Sequence, residues 1–237
     1  EPAHPVLASA KVRHVGDPVA IVIAESREQA ADAAELVKVD YDRLDAVVRA
    51  TEAIKDGAPQ LFDDVPHNIP FDWALGDKEA TDAAIAGADH VTTLEFDNQR
   101  LITNAIEPRC AIGDYDSARD HYTLYTSSQN PHVIRLLMTA FVMGLPEHKV
   151  RVVSPDVGGG FGSKIFHYAE EVLVTWCSNK IGRPVKWTAT RSESFVTDAQ
   201  GRDHHTKVEL GLDADGNFVG LRVNTVANLG AYLSTFA

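Results

Sequence analysis

The residues best placed for chemistry lie in one stretch, Ser154-Pro155-Asp156-Val157-Gly158-Gly159-Gly160-Phe161-Gly162-Ser163-Lys164. Glycines at 158, 159, 160 and 162 remove side chains from the backbone, so a ligand can approach the peptide N–H groups closely. Donors exposed in this way suit an anion. A helix beginning just after the loop would add the partial positive charge of its N-terminus, worth about 0.3–1 kcal/mol where exposed. No Gly-Lys-Ser/Thr follows a four-residue spacer and the glycines lack dinucleotide-fingerprint spacing, which disfavours nucleoside triphosphates and nicotinamide cofactors. The same glycines could serve only as a tight turn that lets strand and helix pack closely. Taken alone, Gln129 reads equally as a turn or cap amide, and Phe161 as a core side chain. Arg109, in Glu107-Pro108-Arg109, suits a structural ion pair as well as a ligand contact. Lys164 could attract an anion or remain a solvated charge.

The flanking residues supply elements to hold such a loop. Val150-Arg151-Val152-Val153 predicts a strand before it, and the periodic run after it predicts a helix from Ile165 to about Asn179, ended by Gly182-Arg183-Pro184. Upstream, Val91–Phe96 and Tyr122–Ser127 have strand character, and His132–Met143 carries apolar residues at helical spacing. Downstream, 185–190, 205–212 and 218–228 read as strands, with Asp213–Asn217 as a hairpin turn. Near the start, Pro18–Ala24 reads as a strand, Ser26 as the N-cap of a helix over Arg27–Leu36, and Val37–Tyr41 as a second strand, closed off by Asp45–Val48. Pro59, Pro66 and Pro70 break the pattern between Asp56 and Phe71, which predicts a linker there and domains over 1–75 and 76–237.

Composition narrows the function classes. A 237-residue chain with 44% hydrophobic residues can bury a core. The formal net charge of −12, from 34 acidic and 22 basic residues, disfavours nucleic acid as a partner. No apolar run is long enough for a membrane span, and the first residues lack a secretory pattern. Cys110 and Cys177 have neither metal-ligand nor disulfide-scaffold spacing, so a cytoplasmic, reducing location is expected. The missing initiator Met and a strand-like end at Leu233–Ala237 read as a piece of something longer.

From Gly158 through Lys164 into Ile165-Phe166-His167-Tyr168-Ala169-Glu170-Glu171, the sequence resembles large subunits of the molybdenum hydroxylase (xanthine oxidase/aldehyde oxidase) family, in particular its aerobic carbon monoxide dehydrogenase branch. Asn98-Gln99-Arg100, Asn104, Glu107-Pro108-Arg109, Ser128-Gln129-Asn130-Pro131-His132, Lys186-Trp187-Thr188 and Arg191-Ser192-Glu193 extend the likeness over nearly the whole chain. The resemblance implies an α+β fold: an α/β hammerhead over 1–75, then the first part of a molybdopterin-binding region. It implies that Gln129 lies beside the metal, where its amide can donate, and that Gly159, Gly160, Phe161 and Gly162 face the cofactor, with no direct metal ligand from this chain. It further implies a molybdopterin cytosine dinucleotide with molybdenum, a small-molecule substrate, and flavin-binding medium and iron–sulfur small subunits as partners. The family's glutamate base belongs near the C-terminus of the large subunit and has no match here, since Glu107, Glu170 and Glu193 stand elsewhere. Ile165 replaces the glutamate of purine-oxidising members, which disfavours hypoxanthine and xanthine, and Ser163 in place of glycine fits the carbon monoxide dehydrogenase branch. No catalytic residue is therefore expected within the chain, and by itself it should be inactive and without cofactor. The alternative reading is a non-catalytic anion-binding or subunit-assembly module that keeps the fold.

Overall fold

The computed structural model describes residues 4–233. In chain order they form α1 (Arg27–Ala34), α2 (Ala50–Ala53), α3 (Lys78–Ala86), β1 (His90–Asn98), β2 (Cys110–Asp116), β3 (His121–Thr126), α4 (Pro131–Leu137), β4 (Val150–Val153), α5 (Ala169–Ile181), β5 (Val185–Thr188), α6 (Arg191–Thr197), β6 (His204–Leu212) and β7 (Phe218–Ala227). Helices and strands are mixed along the chain and the strands form two sheets, an α+β fold as expected.

One compact unit comprises Leu44–Leu101 and Gly201–Leu233. Its sheet has the order β1-β6-β7, antiparallel throughout. The β6–β7 connection is the expected hairpin turn, fixed by the Asp213 carboxylate, which accepts from the amides of Asp215 (3.0 Å) and Asn217 (2.9 Å). Helix α3 starts at Asp77, whose side chain accepts from Ala80 N, and it packs on β7 and β6. Gly220 permits the approach: a Cβ there would lie 3.2 Å from Ala84 Cβ and Ile85 Cγ1. The proline-rich stretch at 56–71 lies inside this unit as an ordered loop. Asn68 pins it by donating to Ala53 O (2.9 Å) and Pro59 O (3.0 Å) and by accepting from Leu61 N (2.8 Å).

The other unit comprises residues 4–43 and Ile102–Gln200. Its sheet has the order β4-β3-β2-β5, with β3 and β4 parallel and the other pairs antiparallel. A parallel pair needs a crossover, and α4 lies in that connection. The core lies between sheet and helices: Ala111, Leu124, Ile134, Met138, Val172, Val174, Cys177 and Val185. Helix α5 presses directly on β2 at Gly113, where a Cβ would stand 2.4 Å from the Val174 and Thr175 backbone.

Local structure departs from sequence expectation in three places. Helix α5 begins at Ala169 rather than near Ile165, because Glu171 accepts from Tyr168 N (3.0 Å) and fixes the first turn there. The helix expected over 132–143 is α-helical to Leu137 and a π-turn over Met138–Met143. There the Thr139 hydroxyl donates to the carbonyls of Arg135 (2.8 Å) and Leu136 (3.2 Å), which perturbs the regular ladder. Ser26 caps α1 as expected, accepting from Gln29 N (3.2 Å), but Pro18–Ala24 and Val37–Tyr41 form no strand ladder among the described residues. An apolar run becomes a strand only where a neighbour takes its backbone groups, and Ile21 and Ile23 accordingly stay 37% and 38% exposed.

Candidate functional site

The glycine loop runs from the end of β4 to the start of α5, and the ends of β3 and β4 set its base. Gln129 follows β3 directly after Ser127-Ser128 and reaches into the loop. Its Oε1 accepts from the amides of Gly162 (3.1 Å) and Lys164 (3.2 Å), and its backbone N–H donates to Lys164 O (2.9 Å). Ser128 Oγ donates to Lys164 O (3.2 Å), and Ser154 Oγ donates to Ser128 O (2.5 Å), which joins the strand ends behind the loop. Gly160 has to be glycine for this packing. A Cβ there would meet Gln129 Oε1 at 2.3 Å and Cγ at 2.7 Å.

The sequence therefore brought together residues that do meet: Gln129, Gly160 and Gly162 are in direct contact. Phe161 is not in the core. It adopts a left-handed backbone (φ 52°), is 75% exposed, and its ring edge would touch a Cβ on Gly159 (2.9 Å). A bulky residue in that conformation is uncommon, and here it turns the chain between Gly160 and Gly162. Lys164 is not a solvated charge either: it is 2% exposed, and its Nζ donates to Glu107 Oε2 (2.8 Å).

Behind the loop sits a second polar layer. Arg109 is 4% exposed and pairs with Glu170 through Nη1 (3.0 Å) and Nη2 (3.2 Å), with Asp198 through Nε (2.6 Å), and with Thr197 Oγ1 (3.1 Å). Its guanidinium stacks 3.6 Å from the centroid of the Tyr168 ring. Burial alone would lower its pKa, but the Glu170 carboxylate and the other partners outweigh burial and raise it, so Arg109 is a permanent structural cation. Tyr168 OH donates to Ser163 O (2.5 Å) and accepts from Ala199 N (2.9 Å); burial chiefly raises its pKa. Among the described residues no cation is bonded to Glu171. It accepts from Thr126 Oγ1 (2.7 Å) and Tyr168 N (3.0 Å), and burial pushes its carboxyl up to about 7. His167 is held neutral by burial, which lowers its pKa to about 4. Sequence reasoning missed Tyr168 and Glu171 in these roles and gave Glu107 no place in the loop. Glu107 meets Gly158 and Lys164 across separations of 51 and 57 residues, so no local pattern could have shown the contact.

A pterin dinucleotide offers ring heteroatoms and phosphate oxygens, and the donors present fit such acceptors. Among the described residues the amides of Gly159, Gly160 and Phe161 donate to no protein acceptor, nor does Gln129 Nε2. Four donors are thus left over on three consecutive loop residues and on the Gln129 side chain that packs against Gly160, where a Cβ would clash with it.

Comparison with known proteins gives the same picture. Residues 61–237 match the family described as "Molybdopterin cofactor-binding domain", and residues 1–45 match "Aldehyde oxidase and xanthine dehydrogenase, a/b hammerhead domain". The carbon monoxide dehydrogenase large chain of Hydrogenophaga pseudoflava is 41% identical over 96% of this chain and 30% of its own length. The nicotine 6-hydroxylase large subunit of Paenarthrobacter nicotinovorans is 32% identical over 96% of this chain and 28% of its own length. The crystal structure of Cu,Mo-CO dehydrogenase in its carbon monoxide reduced state superposes with TM-score 0.89 at 38% identity, covering 93% of this chain and 29% of that one. Quinoline 2-oxidoreductase from Pseudomonas putida 86 superposes with TM-score 0.83 at 32% identity over 93% of this chain. The chain thus spans about 30% of the length of the carbon monoxide dehydrogenase large chain. With its molybdopterin-binding and hammerhead segments and a glycine loop closed on Gln129, the chain belongs to the molybdenum hydroxylase family, the family of aldehyde oxidase and xanthine dehydrogenase.

Proposed function

We propose that the chain forms one wall of the cofactor site in the large subunit of a carbon monoxide dehydrogenase-like molybdenum hydroxylase, a molybdenum-dependent oxidoreductase. The observation that carries this reading is that Gly159 N, Gly160 N, Phe161 N and Gln129 Nε2 donate to no acceptor among the described residues, in the middle of a stretch whose flanking amides, Gly158 and Gly162–Lys164, are already bonded. Gly159, Gly160, Phe161 and Gly162 line a molybdopterin cytosine dinucleotide through their backbone, and Gln129 Nε2 donates beside the metal, to which this chain gives no ligand. Residues 1–75 act as the hammerhead domain and 76–237 as the first part of the cofactor-binding region. When bound, the cofactor supplies the two-electron redox chemistry. The chain's own groups orient it and supply donors in a place shielded from water, where such donors count for most. The enzyme oxidises a small substrate with a water-derived oxygen and passes electrons to a flavin-binding and an iron–sulfur subunit in the cytoplasm.

Gln129→Ala in the assembled enzyme tests this. Loss of one preorganised donor is expected to lower kcat roughly a hundredfold or more, with molybdenum content, measured by mass spectrometry, falling less than turnover. An unchanged kcat, or no molybdenum in the unsubstituted enzyme, would refute the reading.

A further inference from the structure

Loop geometry also assigns work to an ion pair that touches no cofactor donor. Glu107 Oε2 accepts from Gly158 N (2.7 Å) at the loop's start and from Lys164 Nζ (2.8 Å) at its end. Glu107 N donates back to Gly158 O (3.2 Å), so the two backbones lie side by side, and a Cβ on Gly158 would stand 2.5 Å from Glu107 Cβ. Although burial works against its charged form, Lys164 and the Gly158 amide hold the Glu107 carboxyl below its ordinary value. Arg191 fastens the segment that carries Glu107, donating to Asn104 Oδ1 (2.6 Å) and Ile106 O (2.8 Å). Gln129 Oε1 bonds the amides of Gly162 and Lys164. The bonds from Glu107 and Gln129 hold the loop at its ends and leave the amides of Gly159, Gly160 and Phe161 alone.

We infer that Glu107 and Lys164 form a latch, two positioning residues that tie both ends of the glycine loop through one carboxylate oxygen and so present the amides of Gly159, Gly160 and Phe161 together. The inference rests on the cofactor role proposed for that loop. It assigns Lys164 a task opposite to the one its place after a glycine loop suggests. Its charge is engaged inside the protein, and an anionic ligand meets neutral N–H dipoles instead of an ammonium group. Lys164 is buried whereas the Glu107 side chain is 34% exposed, so removing Glu107 strands a buried ammonium, removing Lys164 leaves a carboxylate that water partly solvates, and removing both strands no charge.

The test compares Glu107→Gln, Lys164→Met and the double variant by hydrogen–deuterium exchange of the full chain. Each single variant is expected to speed exchange of peptides spanning Gly158–Lys164 by about tenfold, with peptides of α5 unchanged. The double variant strands no charge but has also lost the tie, so its loop should still exchange at least about threefold faster than the original chain; full recovery would show that the single variants act through the stranded charge alone and would overturn the latch. The double variant also keeps the test open if a single variant fails to fold. In the assembled enzyme the same single variants should lower retained pterin dinucleotide, read by fluorescence of its oxidised form, by about tenfold, and the double variant by less. Unchanged loop exchange in Glu107→Gln would overturn the latch. Faster loop exchange with full pterin retention would overturn its link to the cofactor. An unsubstituted enzyme that holds no pterin would instead sink the cofactor reading beneath it.

Discussion

At the scale of single residues, Glu171 is a carboxyl buried with only neutral groups bonded to it among the described residues. It is 5% exposed, its carboxyl meets a hydroxyl and an amide, and Arg109, Glu170 and Tyr168 act on it electrostatically. Burial raises its pKa from 4.5 to about 7. The folded chain therefore holds this proton more tightly than the unfolded one. The resulting stability is fully present below about pH 4.5 and is lost as pH rises through about 7. Glu171→Gln keeps the shape and removes the titration. Its stability relative to the original chain should rise by on the order of 3 kcal/mol between pH 4 and pH 8, read from urea midpoints across that range. A difference that stays flat with pH would refute the assignment. Residue types alone conveyed part of this. The glycines and Gln129 were legible because a cluster without side chains has few uses and its neighbours fitted one family. Lys164 was not, since whether a lysine is solvated or buried depends on Glu107, far away in sequence. Phe161 was misread by composition for a related reason: an apolar ring suggests a core, but its left-handed backbone turns it outward.

At the scale of elements, legibility followed how far each depends on distant partners. Strands β4, β6 and β7 were readable from β-branched runs, and the β6–β7 turn from its Asp, Gly and Asn. The start of α5 was not, because the choice between Ile165 and Ala169 rests on the bond from Tyr168 N to Glu171. Pro18–Ala24 shows the opposite error, with the right composition and no neighbouring strand among the described residues. The packing of α5 on β2 is a contact that only coordinates reveal. Gly113 lies against the backbone of Val174 and Thr175, and backbone cannot swing aside as a side chain can. Gly113→Ala should therefore force sheet and helix apart and cost at least about 3 kcal/mol, the upper part of the overpacking range. Gly201, with nothing near its added Cβ, should accept alanine for less than about 1 kcal/mol. Guanidinium denaturation of both variants checks this, and equal costs would show that the interface yields.

At the scale of the whole molecule, the chain supplies donors from Gln129 and one loop, whereas a pterin dinucleotide is a large ligand whose affinity comes from many contacts. Each hydrogen bond to a charged group contributes about 1.5–3 kcal/mol, and each 1.4 kcal/mol lost weakens binding about tenfold. The purified 237-residue chain is therefore expected to hold far less than stoichiometric molybdenum and to reduce no dye with carbon monoxide or aldehydes. Near-stoichiometric metal with turnover would show that one wall is enough.

The pairing of β1 with β6 has a consequence for how the protein is made. Those strands lie roughly 100 residues apart, and Ile102–Gln200, the larger of the two segments of the other unit, lies between them in the chain. A ribosome adding about 5–20 residues per second leaves β1 without its ladder for roughly 5–20 s while the inserted stretch is synthesised. That stretch contains all of the β4-β3-β2-β5 sheet and can collapse first. During the wait β1 is an unpaired edge with Val91, Leu94 and Phe96 along it, the kind of segment that chaperones bind and that misassembles with its own copies. Yield in the cell should therefore depend on how quickly β6 emerges as well as on the stability of the finished fold.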